Sequence, residues 1–320
     1  MEFKHTFNVF VDNFSTTYKL LLYRLIVLAI TIGLGCAVVI PTLNNLLSTA
    51  QFEKLSETFS RLWADLIALN LEEVHGELEE VRSALSSFKG LISDKSGIVA
   101  LAACGLAAVY FINRFLVAVG DYVLGSLIND RMVMHANSYF SFTLFKNIKS
   151  ALLYAIIYAP LVFVYDMICL TIIWAVISVG MNTLPIALVK IFVIAVLFIL
   201  FSTVKNTFRT DWLPSLIHSK MRTGKAIRHT FSVRGKHIGQ VFSLSLVLYL
   251  ICIALNVSAL LFTFGAGLLI TLPATSMILT SFSFVNYFNA NKQKFFIDEY
   301  TVIGPKKETP VTREEFFKGD

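Results

Sequence analysis

The sequence predicts an all-α polytopic membrane protein: six transmembrane helices in three hairpin repeats, with interfacial amphipathic helices and an extracytoplasmic helical hairpin. Three observations lead there. Of 320 residues, 56% are apolar and only 15% charged, against about 45–50% and about 25% in an average soluble domain. Several uncharged apolar runs match the roughly 20 helical residues that a bilayer requires. Basic residues gather in some connections and acidic ones in another. Together these exclude a secreted disulfide scaffold, a disordered chain and nucleic acid as a partner, even at a net charge of +6.

Residues 1–19 read as a cytoplasmic interfacial helix and 20–40 as the first span. The segment 42–96 is an outer insertion, and further spans follow at 97–119, 150–178, 185–204, 238–261 and 265–288. Hydrocarbon offers no partner to a free backbone group, so every span must be helical. The first run lacks a small-residue cleavage site and is read as a span, not a signal peptide. Sidedness follows from Lys and Arg, which are retained in the cytoplasm. The connection 120–149 carries Arg131, Lys146 and Lys149, and 205–237 carries eight basic residues against the single acid Asp211. The 42–96 segment has nine acids against five basic residues. An even span count then puts both termini, including the tail 289–320, in the cytoplasm. Lys19, Arg24, Arg114, Lys149 and Lys236 stand at span boundaries and are expected to snorkel to lipid headgroups, at about 1 kcal/mol each. The basic 205–237 connection also suits a cytoplasmic partner.

Each hairpin opens with a similar device: Phe10-x3-Phe14-x4-Lys19, Phe140-x3-Leu144-x4-Lys149 and Ile227-x3-Phe231-x4-Lys236. Apolar residues four apart share a helix face, and the basic residue marks the membrane boundary. An amphipathic helix lying in the interface before each pair of spans is the physical reading. A second echo, Ser126-Leu127-Ile128-x-x-Arg131-Met132 and Ser215-Leu216-Ile217-x-x-Lys220-Met221, recurs 89 residues apart. Such repeats are parallel, related by an axis along the membrane normal. The run from Gly224 to Lys236 (GKAIRHTFSVRGK) entering an apolar span resembles the pre-span motif of uncharacterised multi-pass bacterial membrane proteins of the glycerophosphodiester-phosphodiesterase membrane-domain type. The resemblance is best over 215–300. It implies a bacterial cytoplasmic membrane and a helix-hairpin architecture, and it brings no catalytic residue, because that family's chemistry sits in a separate soluble domain.

Residues 50–95 hold the clearest periodicity. Phe52, Leu55, Phe59, Leu62, Leu66 and Leu69 alternate by three and four, as do Val74, Leu78, Val81, Leu85, Phe88 and Ile92. That is a coiled-coil seam, with a phase break near Asn70. Two antiparallel legs are expected, with Glu72, Glu73, Glu77, Glu79 and Glu80 near the tip and second leg. The arm is either a self-contained coiled coil or a docking arm for a membrane or wall-associated protein.

Ionisable groups at bilayer depth are candidates for function. Asp166 lies deep in the third span, and Lys190, entering the fourth from outside, is its expected partner, with Arg114 at the wrong depth. The pair is either glue between helices or part of a polar, proton-linked pathway. The sixth span is rich in hydroxyls, among them Thr271 and Thr275, and Asn256 stands in the fifth; small and hydroxyl side chains favour close packing in lipid, so these helices are expected to face protein. Cys36, Cys104, Cys169 and Cys252 lack metal-ligand spacing, so no metal or cofactor is expected. Enzymatic motifs are missing. The functional expectation is a transport-type protein, a permease subunit or a lipid- or small-molecule-handling factor. A non-transporting scaffold acting through the outer arm is the alternative.

Overall fold

The computed structural model describes residues 2–47, 57–58, 60–61, 95–136, 138–178, 184–234, 238–304 and 311–312. Eight helices appear among them: α1 Glu2–Asp12, α2 Ser15–Leu47, α3 Ser96–Met134, α4 Phe140–Ser178, α5 Leu184–Ile217, α6 Thr223–Arg234, α7 Ile238–Phe262 and α8 Leu268–Ala290. Six of these, all but α1 and α6, are long and apolar enough to cross a membrane. The chain is built as a multi-pass membrane protein. Most of the outer arm, including Glu72, Glu73, Glu77, Glu79 and Glu80, lies outside the described residues, as does Lys236.

The spans run further than their apolar cores. Helices α3 and α4 each hold 39 residues, about 58 Å at 1.5 Å per residue, nearly twice the roughly 30 Å of hydrocarbon. The expected connection 120–149 is therefore mostly helix. Phe140, Leu144 and Lys149 belong to α4 itself, continuous with the third span. At 205–237, α5 continues through Ile217 before α6 begins.

The chain divides into two compact units, 28–113 and the remainder, 1–27 with 114–320. In the smaller unit, a Cβ added to Gly105 would lie 2.7 Å from Val38 Cγ1, so the two helices approach closely there. Lys95 Nζ donates to the carbonyl of Asn45 in the same unit.

The larger unit gathers its core where α3, α5 and α8 end and α4 begins. Leu124, Ile128 and Met132 of α3 meet Tyr154 of α4, Leu213 of α5 and Phe284 and Phe288 of α8. Helix α1 is not simply an interfacial helix. Its Phe3, Phe7 and Phe10, spaced four and three, pack against Leu248, Cys252, Ile278 and Phe282 of α7 and α8. The expected tail is also partly folded. β1 (Phe295–Phe296) pairs antiparallel with β2 (Thr301–Ile303), which pairs with β3 (Val311–Thr312). Asp298 accepts from the backbone N–H groups of Tyr300 and Thr301, closing the turn, the habit of Asp at such sites. Phe295 joins the core.

Candidate functional site

The lower half of α5, Thr203 to Trp212, is too polar for lipid and stays helical because its hydroxyls are satisfied locally. Thr203, Thr207 and Thr210 each donate to the carbonyl four residues earlier, at 2.8 Å, the back-bonding that lets Thr sit inside a helix. Lys205 and Arg209, one turn apart, share a face. Both turn inward. Lys205 Nζ lies 3.0 Å from Asp166 Oδ1 of α4, and Arg209 Nη1 lies 3.2 Å from Asp121 Oδ2 of α3.

Each carboxylate takes a second cation. Arg114 Nη2 reaches Asp166 Oδ2 at 2.9 Å, and Arg24 Nη2 reaches Asp121 Oδ1 at 2.8 Å. Arg209 also donates to Thr280 Oγ1 of α8 at 3.0 Å. Two rungs of charge therefore stand one helical turn apart within the spans, with four cations held by two carboxylates. Only 5% of the Asp121 side chain is exposed, so its two guanidinium partners replace water almost entirely.

An aromatic wall stands beside the rungs. Tyr154 stacks on Tyr158 with ring centroids 4.9 Å apart, and Trp212 meets both edge-on at 5.6 and 5.4 Å. Between α4, α5 and α6 lies a cavity of about 180 Å³ whose lining combines Lys205, Arg209 and Trp212 with Leu161, Val162, Phe208 and Ile227. Among the described residues, the buried Nε atoms of Arg24 and Arg209 and the indole Nε1 of Trp212 have no hydrogen-bond partner. Each is a donor and none can accept.

Several sequence expectations change here. Asp166 pairs with Arg114 and Lys205 and not with the expected Lys190, which is itself buried on α5. A depth for Asp166 counted from residue 150 starts inside α4, which begins at Phe140, and Arg114 meets Asp166 after all. Arg24 stands nine residues into α2, about 14 Å from its start, and serves Asp121 instead of a headgroup. Lys149 is exposed and Lys19 half-buried, with Lys19 Nζ 5.5 Å from the Tyr139 ring centroid. Asn256 Nδ2 donates to Thr275 Oγ1 at 3.0 Å, joining α7 to α8. Thr271 Oγ1, also on α8, is buried with no hydrogen-bond partner among the described residues. Further along α8, Thr280, Ser281, Ser283 and Asn286 are all buried, so that helix faces protein.

Asp121, Lys205 and Arg209 are functional candidates that sequence reasoning missed. A signal existed. Arg114 and Asp121 are two turns apart on α3, Lys205 and Arg209 one turn apart on α5, and each set defines one charged stripe on an apolar helix.

At the same end of the larger unit, His218 Nδ1–H donates to Asn129 Oδ1 at 3.0 Å, and its ring lies edge-on to Phe288. Burial lowers its pKa below the ordinary 6.5. Asp12 holds Arg131 at 2.9 Å beside a second, polar cleft lined by Ser15, Thr16, Ser138 and Tyr139. No family model matches the chain, and no curated protein or solved structure matches it either.

Proposed function

We propose that this membrane protein is of transport type, moving or handling a lipid or small molecule past the two charged rungs, in a bacterial cytoplasmic membrane with both termini inside. The single observation that carries the reading is the intramembrane network Arg24–Asp121–Arg209 and Arg114–Asp166–Lys205 beside a cavity. A charged residue at a helix centre costs about 2.5–3.5 kcal/mol to insert. A bundle that only needs to hold together achieves this with small residues and close packing. Six ionised groups therefore argue for use, not cohesion. The parallel-repeat reading has support as well, since the His218–Asn129 hydrogen bond joins two positions that the 89-residue offset makes equivalent. Contacts of this kind arise where related elements meet at an axis along the membrane normal.

The test is water access. With Cys36, Cys104, Cys169 and Cys252 replaced by Ala, Thr280→Cys beside Arg209 and the Asp121 rung is treated in proteoliposomes with a membrane-impermeant thiosulfonate. The transport reading expects modification at position 280, slower than at the exposed control Ser141→Cys. Labelling of the control alone means a sealed bundle and leaves the scaffold alternative, in which deleting residues 50–95 abolishes cellular function.

A further inference from the structure

The polar cleft at the α1–α2 turn holds unused hydrogen-bonding capacity that its own residues do not satisfy. Asn13, Thr16 and Lys19 line it from the turn onward, and Arg131, Ser138 and Tyr139 from the end of α3 onward. Asn13 and Thr16 are each only 9% exposed, yet each keeps a free polar atom. Asn13 Nδ2 donates to the Val9 carbonyl at 2.8 Å, which leaves its Oδ1 without a donor among the described residues. The Thr16 hydroxyl has no partner among them either, whereas its neighbour Thr17 donates to Met277 Sδ. Unlike the indole nitrogen of Trp212, neither atom is sealed from solvent, so a ligand in the cleft can reach both.

Charge adds a second demand. Among the lining residues, Lys19 and Arg131 stand against Asp12 alone. Arg131 is matched by Asp12 at 2.9 Å, and His135 Nε2 lies 3.5 Å from the same carboxylate oxygen. Lys19 has no carboxylate partner among the described residues, and its Nζ stands over the Tyr139 ring. Lys19 therefore selects an anion. Ser138 gives its proton to Asp130 at 3.2 Å, so Ser138 Oγ and Asn13 Oδ1 can only accept from a ligand. The anion must then carry donors of its own. With the Asp12 charge already taken, an ammonium finds no counter-charge, and hydroxyls suit these neutral acceptors.

Position selects the source. Lys19 immediately precedes the first apolar run, and Phe14, Tyr18 and Tyr139 around it in the chain are exposed, rings of the kind that settle at headgroup level. The cleft holds about 320 Å³, about twice the roughly 150 Å³ that accepts a benzene ring, room for a phosphate with a short polyol. We infer that this cleft binds the hydroxylated phosphodiester headgroup of an anionic membrane lipid, with the phosphate on Lys19 and Thr16 and the hydroxyls on Asn13 and Ser138. The site shares no residue with the charged rungs, so it stands apart from the transport reading.

The experiment titrates the delipidated full chain in detergent with dioctanoyl phosphatidylglycerol and reads adducts by native mass spectrometry. One saturable adduct is expected, about tenfold tighter than with phosphatidylethanolamine or phosphatidylcholine of the same chains, the value of one hydrogen bond to a charged group. Millimolar glycerol phosphate should not displace it. Thr16→Val removes a hydroxyl that nothing in the protein uses, so it should weaken the adduct about tenfold and leave the melting temperature of the lipid-free protein unchanged. Lys19→Gln should erase the preference for phosphatidylglycerol, and Lys149→Gln, an exposed boundary cation outside the cleft, should not. Equal binding of the three lipids overturns the inference, as does an equal loss in Lys149→Gln, which would mean diffuse attraction to a basic surface. Displacement by glycerol phosphate overturns it in favour of a free anion, and full binding in Thr16→Val and Lys19→Gln places the lipid elsewhere. A lipid bound here with position 280 sealed keeps this site and removes transport, and the converse removes the site alone.

Discussion

Asp121 is the side chain whose loss the charged layer tolerates least. It is nearly unexposed and holds Arg24 at 2.8 Å and Arg209 at 3.2 Å. Removing one partner of a buried pair costs about 3–5 kcal/mol, because the other charge stays behind without compensation. Asp121→Ala is therefore expected to lower the melting temperature in detergent sharply, and Arg24→Ala much less, since a quarter of the Arg24 side chain is exposed to solvent or headgroups. Equal losses from the two variants would mean that Asp121 is not held as described. His218 gives a second expectation at this scale. Burial depresses its folded pKa below 6.5, so above about pH 6.5 both the folded and the unfolded imidazole are neutral and stability is complete. As pH falls through 6.5, the unfolded chain takes up a proton that the folded one refuses, and stability drops until the lower, folded pKa is passed. Thermal melts between pH 7.5 and 5 should show this decline, shallower in His218→Gln. His5, also depressed by burial, the N-terminal charge and Lys4, adds a decline of the same sign.

At the scale of elements, close approach decides which helices meet. A Cβ at Gly125 of α3 would lie 2.8 Å from Ile217 Cδ1 and 3.2 Å from both Leu213 Cδ2 and Phe284 Cε2. The glycine thus lets α5 and α8 press against α3 beside the charged rungs. Gly125→Ala should cost about 1–3 kcal/mol by overpacking. Gly33→Ala, in α2 with nothing within 4 Å, should instead be neutral or stabilising, by up to about 1 kcal/mol of helix propensity. Chemical denaturation in mixed micelles separates the two. The elements also show where sequence reading stops. Apolar runs mark the six long helices, because a bilayer demands about 20 such residues in one stretch. The ends of those helices carry no such demand. Met134, Phe140 and Ile217 lie well outside the apolar runs, in stretches whose charges look like loop charges until Asp121, Lys205 and Arg209 are seen turned inward. Residues 1–19 were legible as amphipathic from Phe10 and Phe14, yet an amphipathic face does not say whether lipid or α7 and α8 will cover it.

For the whole molecule, sidedness is the expectation that sets the direction of the proposed transport. Alkaline phosphatase inserted at Glu77 should be active in cells, and a fluorescent protein fused after Asp320 should fluoresce. The reverse pattern would invert the map and turn the cavity toward the outer leaflet. Membership of the membrane class was determined by the sequence alone, along with the six long apolar helices found among the described residues. These follow from transfer free energies and periodicity, which belong to a segment wherever it sits. The partners of Asp166 were decided only by the tertiary structure, and so were the inward turn of Arg24 and Arg209 and the cavity they border. Pairing depends on the rotation of each helix about its axis and its offset along its neighbours, and neither quantity is contained in any one segment.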